Sequence, residues 1–122
     1  MTRFRARRAP RLPHQLERLA RRAALGVART GSISGNGSGD IFLAFSTANP
    51  GAAGDTLAAA VRTMANERLN PVFAATEQAT AEAIVDALIA AETMVGVDGH
   101  RVEALPHPRL RDVLRRYGRL PQ

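Results

Sequence analysis

Gly35-Asn36-Gly37-Ser38-Gly39-Asp40-Ile41-Phe42-Leu43-Ala44-Phe45 is the stretch on which the reading of this chain turns. Glycine at every second position from 35 to 39 permits backbone angles that side chains forbid, and lets the main chain come close to another group. Ser38 and Asp40 are two residues apart, so in an extended chain both side chains point to one face. A hydroxyl and a carboxylate side by side, with bare backbone between them, form a plausible piece of a hydrolytic site. Taken alone, a glycine-rich bend before a buried strand is more often purely structural. The residues that follow, Asp40 to Thr47, read as a strand. Ile41, Leu43 and Phe45 face one way and Phe42 and Ala44 the other, so both faces are apolar and both are expected to be covered. Burial yields about 1.5–3 kcal/mol per large side chain, against roughly 1–2 kcal/mol for ordering each residue. Such a strand needs a larger sheet, and few other strands are evident in this chain.

Upstream, Pro13 to Arg29 reads as a helix with proline in its first turn. Leu12, Leu16, Leu19, Ala20, Ala23 and Val27 form its apolar stripe. Arg11, Arg18, Arg22 and Arg29 share another face, expected to be solvated, and Glu17 and Arg21 are spaced as an ion pair. Thr30 to Gly39 is a loop. It is not a Walker-type phosphate loop, because the chain contains no lysine. Nor is it a dinucleotide fingerprint, because a helix precedes it and a strand follows.

Downstream, Asn49 to Gly54 is a turn, and Leu57 to Asn66 fits either a helix or a short strand. Asn70 and Pro71 are expected to cap and start the longest helix, running to about Met94. Phe73, Thr80, Ala81, Ile84, Ala87, Leu88 and Ala91 make its buried face. Val95 to Leu105 is a connection with Asp98-Gly99 as its turn. Pro106 to Tyr117 is a last helix, striped by Leu110, Val113, Leu114 and Tyr117 and stopped by Gly118. His100 and His107 are too isolated to argue a metal site or a base.

The length of 122 residues suits one domain or part of one. There is no cysteine, hence no disulfide, thiolate ligand or cysteine nucleophile. No apolar run is long enough to span a membrane and no signal peptide is evident, which makes the cytoplasm the expected location. The net charge is +6, and all 17 basic residues are arginine. Residues 1–30 hold nine arginines against one acid, and the remainder eight against ten. The basic character thus belongs to the start of the chain. Residues 1–10 read as a disordered arginine-rich tail and 11–122 as the folded part. A nucleic-acid role for the arginines is disfavoured, since it leaves the glycine loop and the buried strand unexplained.

Several stretches together resemble the DmpA-type aminopeptidases, the family of L-aminopeptidase/D-esterases and β-peptidyl aminopeptidases. They are Leu12-Pro-His-Gln-Leu with Arg18-Leu-Ala-Arg-Arg, Gly26-Val-Ala-Arg-Thr-Gly31, and above all Asn36 to Asn49. Asn66-Glu-Arg-Leu-Asn-Pro71, Ala91-Glu-Thr-Met94, Leu105-Pro-His107 and Arg115-Arg-Tyr-Gly118 look like the same family's C-terminal end. The resemblance covers about residues 9–118.

It implies an α+β fold: a partial αββα sandwich of the N-terminal-nucleophile-hydrolase type, with helices packed on an incomplete sheet. It implies a precursor that cuts itself before a serine whose freed amine is its own general base. Ser38 would hydrogen-bond that nucleophile, and Asp40 would fix it and favour the protonated amine. No cofactor or metal is implied. The expected partners are a peptide or amino-acid amide substrate, the large N-terminal subunit of the same precursor, and further copies in a homo-oligomer.

One departure bears on activity. Met1 to Arg8 stands where the family has an apolar strand opened by the nucleophile, and Thr2 is off register as a substitute. The chain therefore reads as a C-terminal fragment that is inactive alone. The alternative is a non-catalytic interaction domain that pairs with a large subunit or with itself.

Overall fold

The computed structural model describes residues 10–52, 54–55 and 57–121. The expected tail at 1–10, and Thr2 with it, falls almost wholly outside them. The elements in order are helix α1 (Pro13–Arg29), a 3-10 turn (Asn66–Arg68), helix α2 (Asn70–Ala90), strand β1 (Met94–Val95), a 3-10 turn (Val97–Gly99), strand β2 (Arg101–Val102) and helix α3 (His107–Arg116). The chain divides into two compact units, one up to Ala83 and one from Ile84, so the division falls within α2.

In the first unit, α1 has the bounds its sequence predicts. Leu12 at the N-cap offers no side-chain acceptor. Instead Gln15 reaches back, its Oε1 accepting from the Leu12 amide at 3.2 Å, which is half of a capping box. At the other end, the Thr30 hydroxyl donates to the Val27 carbonyl at 2.7 Å. Gly31 then takes φ +101°, a conformation in which only glycine is unstrained.

Gln15 is buried, and it spends its full bonding capacity. Its Nε2 donates to the Met64 carbonyl at 2.8 Å and to Asn66 Oδ1 at 3.0 Å, and its Oε1 also accepts from the Thr63 hydroxyl at 3.0 Å. The ambiguous segment before Asn66 is thereby held without being helix or strand.

The core of this unit is small: Leu19, Leu69 and Phe73, with Leu16, Ala44, Met64 and Val72 packed around them. Helix α2 passes close to α1. Thr76 and Thr80 are buried, and each hydroxyl is satisfied by the carbonyl four residues back at 2.8 Å, leaving the methyl to pack. Gly26 lies against Glu77 and Thr80.

Three expectations are corrected here. The Arg18 and Arg22 guanidinium groups do not simply face solvent; they lie 5.1 and 4.1 Å from the centre of the Phe73 ring. Such cation–π contacts are worth about 0.5–1 kcal/mol each at exposed positions. Arg29 pairs with Glu77 at 3.0 Å, and Arg11 is buried. The Glu17–Arg21 pair forms as predicted.

Asn70 is the first residue of α2 rather than its cap. The helical bonding starts from the Leu69 carbonyl, which accepts from the Phe73 amide at 2.9 Å.

The third correction concerns Asp40 to Thr47. This stretch forms no strand ladder among the described residues. Its exposure still alternates with the period of an extended chain: Phe42, Ala44 and Ser46 are half-buried, while Ile41, Leu43 and Phe45 are 90, 70 and 61% exposed. One face is thus covered within the unit, and the other, expected to be buried, is open.

Asn49 ends the stretch and works as a clamp. Its carboxamide donates to the Arg62 carbonyl at 3.0 Å and accepts from the Arg62 amide at 2.9 Å, closing the loop between them. Asn49→Ala removes both bonds and should cost about 1–2 kcal/mol. The check is hydrogen exchange of the Arg62 amide, which should speed up in the variant while amides in the middle of α1 keep their protection.

The second unit has no buried side chain among its described residues. Helix α2 stops at Ala90, not Met94, because Met94 is taken into a hairpin. Met94 pairs with Val102 and Val95 with Arg101, in antiparallel register. Asp98 and Gly99 at φ 57° and 73° make the turn, the left-handed pair that matches strand twist. The segment read as a connection is therefore a hairpin. His107 Nε2 donates to the Ile89 carbonyl at 2.9 Å, satisfying an orphan at the end of α2. Gly118 at φ 63° ends α3, and the Arg119 amide reaches the Leu114 carbonyl at 2.8 Å, the bonding of a Schellman motif. On α3, Leu110 and Leu114 are half-buried, whereas Val113 and Tyr117 are exposed.

Candidate functional site

The loop after α1 turns back at Gly35, whose carbonyl accepts from the Ser38 amide at 2.8 Å. That turn points the Ser38 side chain along the same side as Asp40. Ser38 Oγ donates to Asp40 Oδ2 at 2.6 Å. The hydroxyl and the carboxylate are thus in direct contact, as the spacing of the two residues predicts. Both residues are exposed.

The geometry has a chemical direction. With its proton committed to Asp40, Ser38 Oγ presents lone pairs outward and acts as an acceptor. The carboxylate beneath it makes that oxygen more basic and supplies a fixed negative charge. A pair arranged in this way can hold a group that carries protons, such as an ammonium or a second hydroxyl, and can favour its charged form.

The glycines around the pair behave differently from the expectation. Gly35, Gly37 and Gly39 do not take positive φ. A methyl group added at any of them would meet nothing within 4 Å. The fold of this unit alone does not require glycine at these positions. Bare backbone beside an acceptor pair does suit the close approach of a further group. Among the described residues no three His, Asp or Glu side chains gather as metal ligands, and no helix is long and apolar enough to cross a membrane.

In the second unit, Arg101 and Thr93 both bond Glu103 and hold its carboxyl below the usual range, Arg101 having the larger effect. This cluster lies on the hairpin and ties β2 to the end of α2, since the Ala104 amide also donates to the Thr93 hydroxyl at 3.1 Å. It is a structural device that the spacing of Thr93 and Glu103 did not advertise.

Residues 6–102 match the profile of peptidase family S58. The chain belongs to that family. It is 51% identical over 115 residues to the β-peptidyl aminopeptidase BapA of Sphingosinicella microcystinivorans, covering 92% of this chain and 28% of that protein. Its backbone superposes on the L-aminopeptidase D-Ala-esterase/amidase of Ochrobactrum anthropi with a TM-score of 0.83 at 48% identity, covering 93% of this chain and 32% of that one. That enzyme is described as a prototype of the serine aminopeptidases with a variant of the Ntn hydrolase fold. A β-aminopeptidase from a Burkholderia species gives a TM-score of 0.80 at 44% identity, over 93% of this chain and 33% of its own. The expected fold class is therefore met: a helix-rich part of an Ntn-hydrolase fold, with a small two-stranded sheet. The chain spans less than a third of the length of the relatives it matches.

Proposed function

We propose that this chain supplies the nucleophile-supporting part of a serine-type aminopeptidase, one that removes N-terminal residues from peptides, amides or esters. The observation that carries the reading is the 2.6 Å contact between Ser38 Oγ and Asp40 Oδ2 on an open glycine-rich turn. The nucleophile, an N-terminal serine with its own amine as base, comes from sequence outside these 122 residues. Ser38 accepts a hydrogen bond from that serine's amine or hydroxyl. Asp40 holds Ser38 in place and stabilises the ammonium that forms when the amine takes the hydroxyl proton. The partner that brings the nucleophile is the large remaining part of an enzyme of this family. The open Ile41, Leu43 and Phe45 face, with no charge from Ile41 to Asn49 to protect it, fits cover by that partner.

The 122-residue chain alone is expected to leave an aminoacyl-p-nitroanilide uncut. Assembled with the remainder of a family member, it should cut it, and Ser38→Ala should lower kcat roughly 100-fold or more with little change in KM. Turnover that survives Ser38→Ala unchanged would remove Ser38 from the mechanism.

A further inference from the structure

Arg11 precedes α1 by two residues and is only 5% exposed. Its Nε is fully buried and has no hydrogen-bond partner. Among the described residues no carboxylate forms an ion pair with it. A buried guanidinium is ordinarily matched by an anion, because it presents five donors and cannot shed its charge. The surroundings make this position more positive still. Arg11 lies at the N-terminal end of a 17-residue helix, where the backbone dipole is positive. No acidic residue occurs in the first turn of α1. The cap residue is leucine, and Gln15 spends its acceptor on Leu12 and Thr63. A buried cation is thus set at the positive end of a helix, with no ion-pair partner of opposite sign among the described residues. Its desolvation lowers the Arg11 pKa, in keeping with an unpaired charge.

The geometry points to an oxyanion site at the start of α1, with Arg11 as its cation and the positive end of the helix beside it. The ligand is a planar or tetrahedral oxyanion, the shape a guanidinium fork takes in two parallel hydrogen bonds. It comes either from a carboxylate side chain in the rest of a family member or from a free anion in solution. The site is independent of the Ser38–Asp40 pair, and its test does not involve hydrolysis.

The test follows the Arg11 Nε–H resonance of the full 122-residue chain by NMR while inorganic phosphate is added, with sodium chloride at matched ionic strength as the control. A saturable shift with phosphate and none with chloride supports the site and assigns it to a free oxyanion. A resonance that is already shifted when the chain is assembled with the remainder of the Sphingosinicella relative, and that no longer responds to phosphate, assigns it to a protein carboxylate. Arg11→Met gives a second readout. Phosphate should raise the melting midpoint of the parent chain by roughly 5 °C and leave that of the variant unchanged. In chloride alone the variant should melt above the parent, since it removes an unpaired buried charge. A resonance indifferent to phosphate in both preparations overturns the proposal, as does an Arg11→Met variant that melts lower than its parent in chloride.

Discussion

Gly26→Val is expected to separate the two helices of the first unit and to unfold it. Gly26 is buried in the last turn of α1. A Cβ at this position would lie 2.5 Å from the Glu77 carbonyl oxygen and 2.6 Å from Thr80 Cβ. Two effects of opposite sign compete. Replacing an interior helical glycine by alanine gains up to about 1 kcal/mol of helix propensity. Forcing a methyl group into backbone costs typically 1–3 kcal/mol, and the carbonyl cannot swing aside as a flexible side chain would. The clash wins, so even Gly26→Ala should be destabilising. Gly26→Val adds two more methyl groups at the same point and should cost more than about 3 kcal/mol. The measurement is helical signal against denaturant for the three proteins. A Gly26→Ala midpoint above that of the parent would show that the helices can move apart at no cost.

Leu69→Ala carries the second large effect. Leu69 is the one fully buried side chain of the described residues, at 0% exposure. It lies between the 3-10 turn and α2, and its carbonyl accepts the first helical bond. Truncation should cost about 2–5 kcal/mol from lost transfer energy and the cavity left behind. Among the described residues the core has two other buried apolar side chains, Leu19 and Phe73, with partly buried neighbours around them, so the loss falls on a small cluster. The contrast is Ile84→Ala. The apolar stripe of α2 marks Ile84 as a core residue, yet it is only half-buried. Its truncation should cost about 1 kcal/mol. Chemical unfolding should rank the two variants in that order. Equal losses would mean that Ile84 is more deeply packed than its exposure indicates.

The sequence and the structure agree where a signal is local. The bounds of α1 follow from Pro13 and the arrangement at Thr30-Gly31, because proline in the first turn and a glycine at positive φ act within a few residues. The end of α3 at Gly118 is legible for the same reason. The Ser38–Asp40 contact is legible too, since two residues of spacing suffice to place both side chains on one side. The hairpin at Met94–Val102 was equally local. Its turn is legible in Asp98-Gly99, whereas strands of two residues each, Met94–Val95 and Arg101–Val102, are too short to show a period.

Other features depend on residues far apart in the chain. The saturated hydrogen bonding of Gln15 requires Thr63, Met64 and Asn66, some fifty positions away. The clamp between Asn49 and Arg62 requires a loop to close. Arg18 and Arg22 read as solvated because nothing near them in sequence is aromatic; the fold brings Phe73 beneath them.

The amino-acid order by itself determined the bounds of α1 and the end of α3, the alternation from Ile41 to Phe45 and the hydroxyl–carboxylate pair, because each is set by backbone geometry over a few neighbours. Only the tertiary structure decided that Gly26 is a contact point, that Arg11 is buried and that the Ile41, Leu43 and Phe45 face stands open. Burial depends on which distant surface arrives to exclude water, and no short-range pattern specifies that surface.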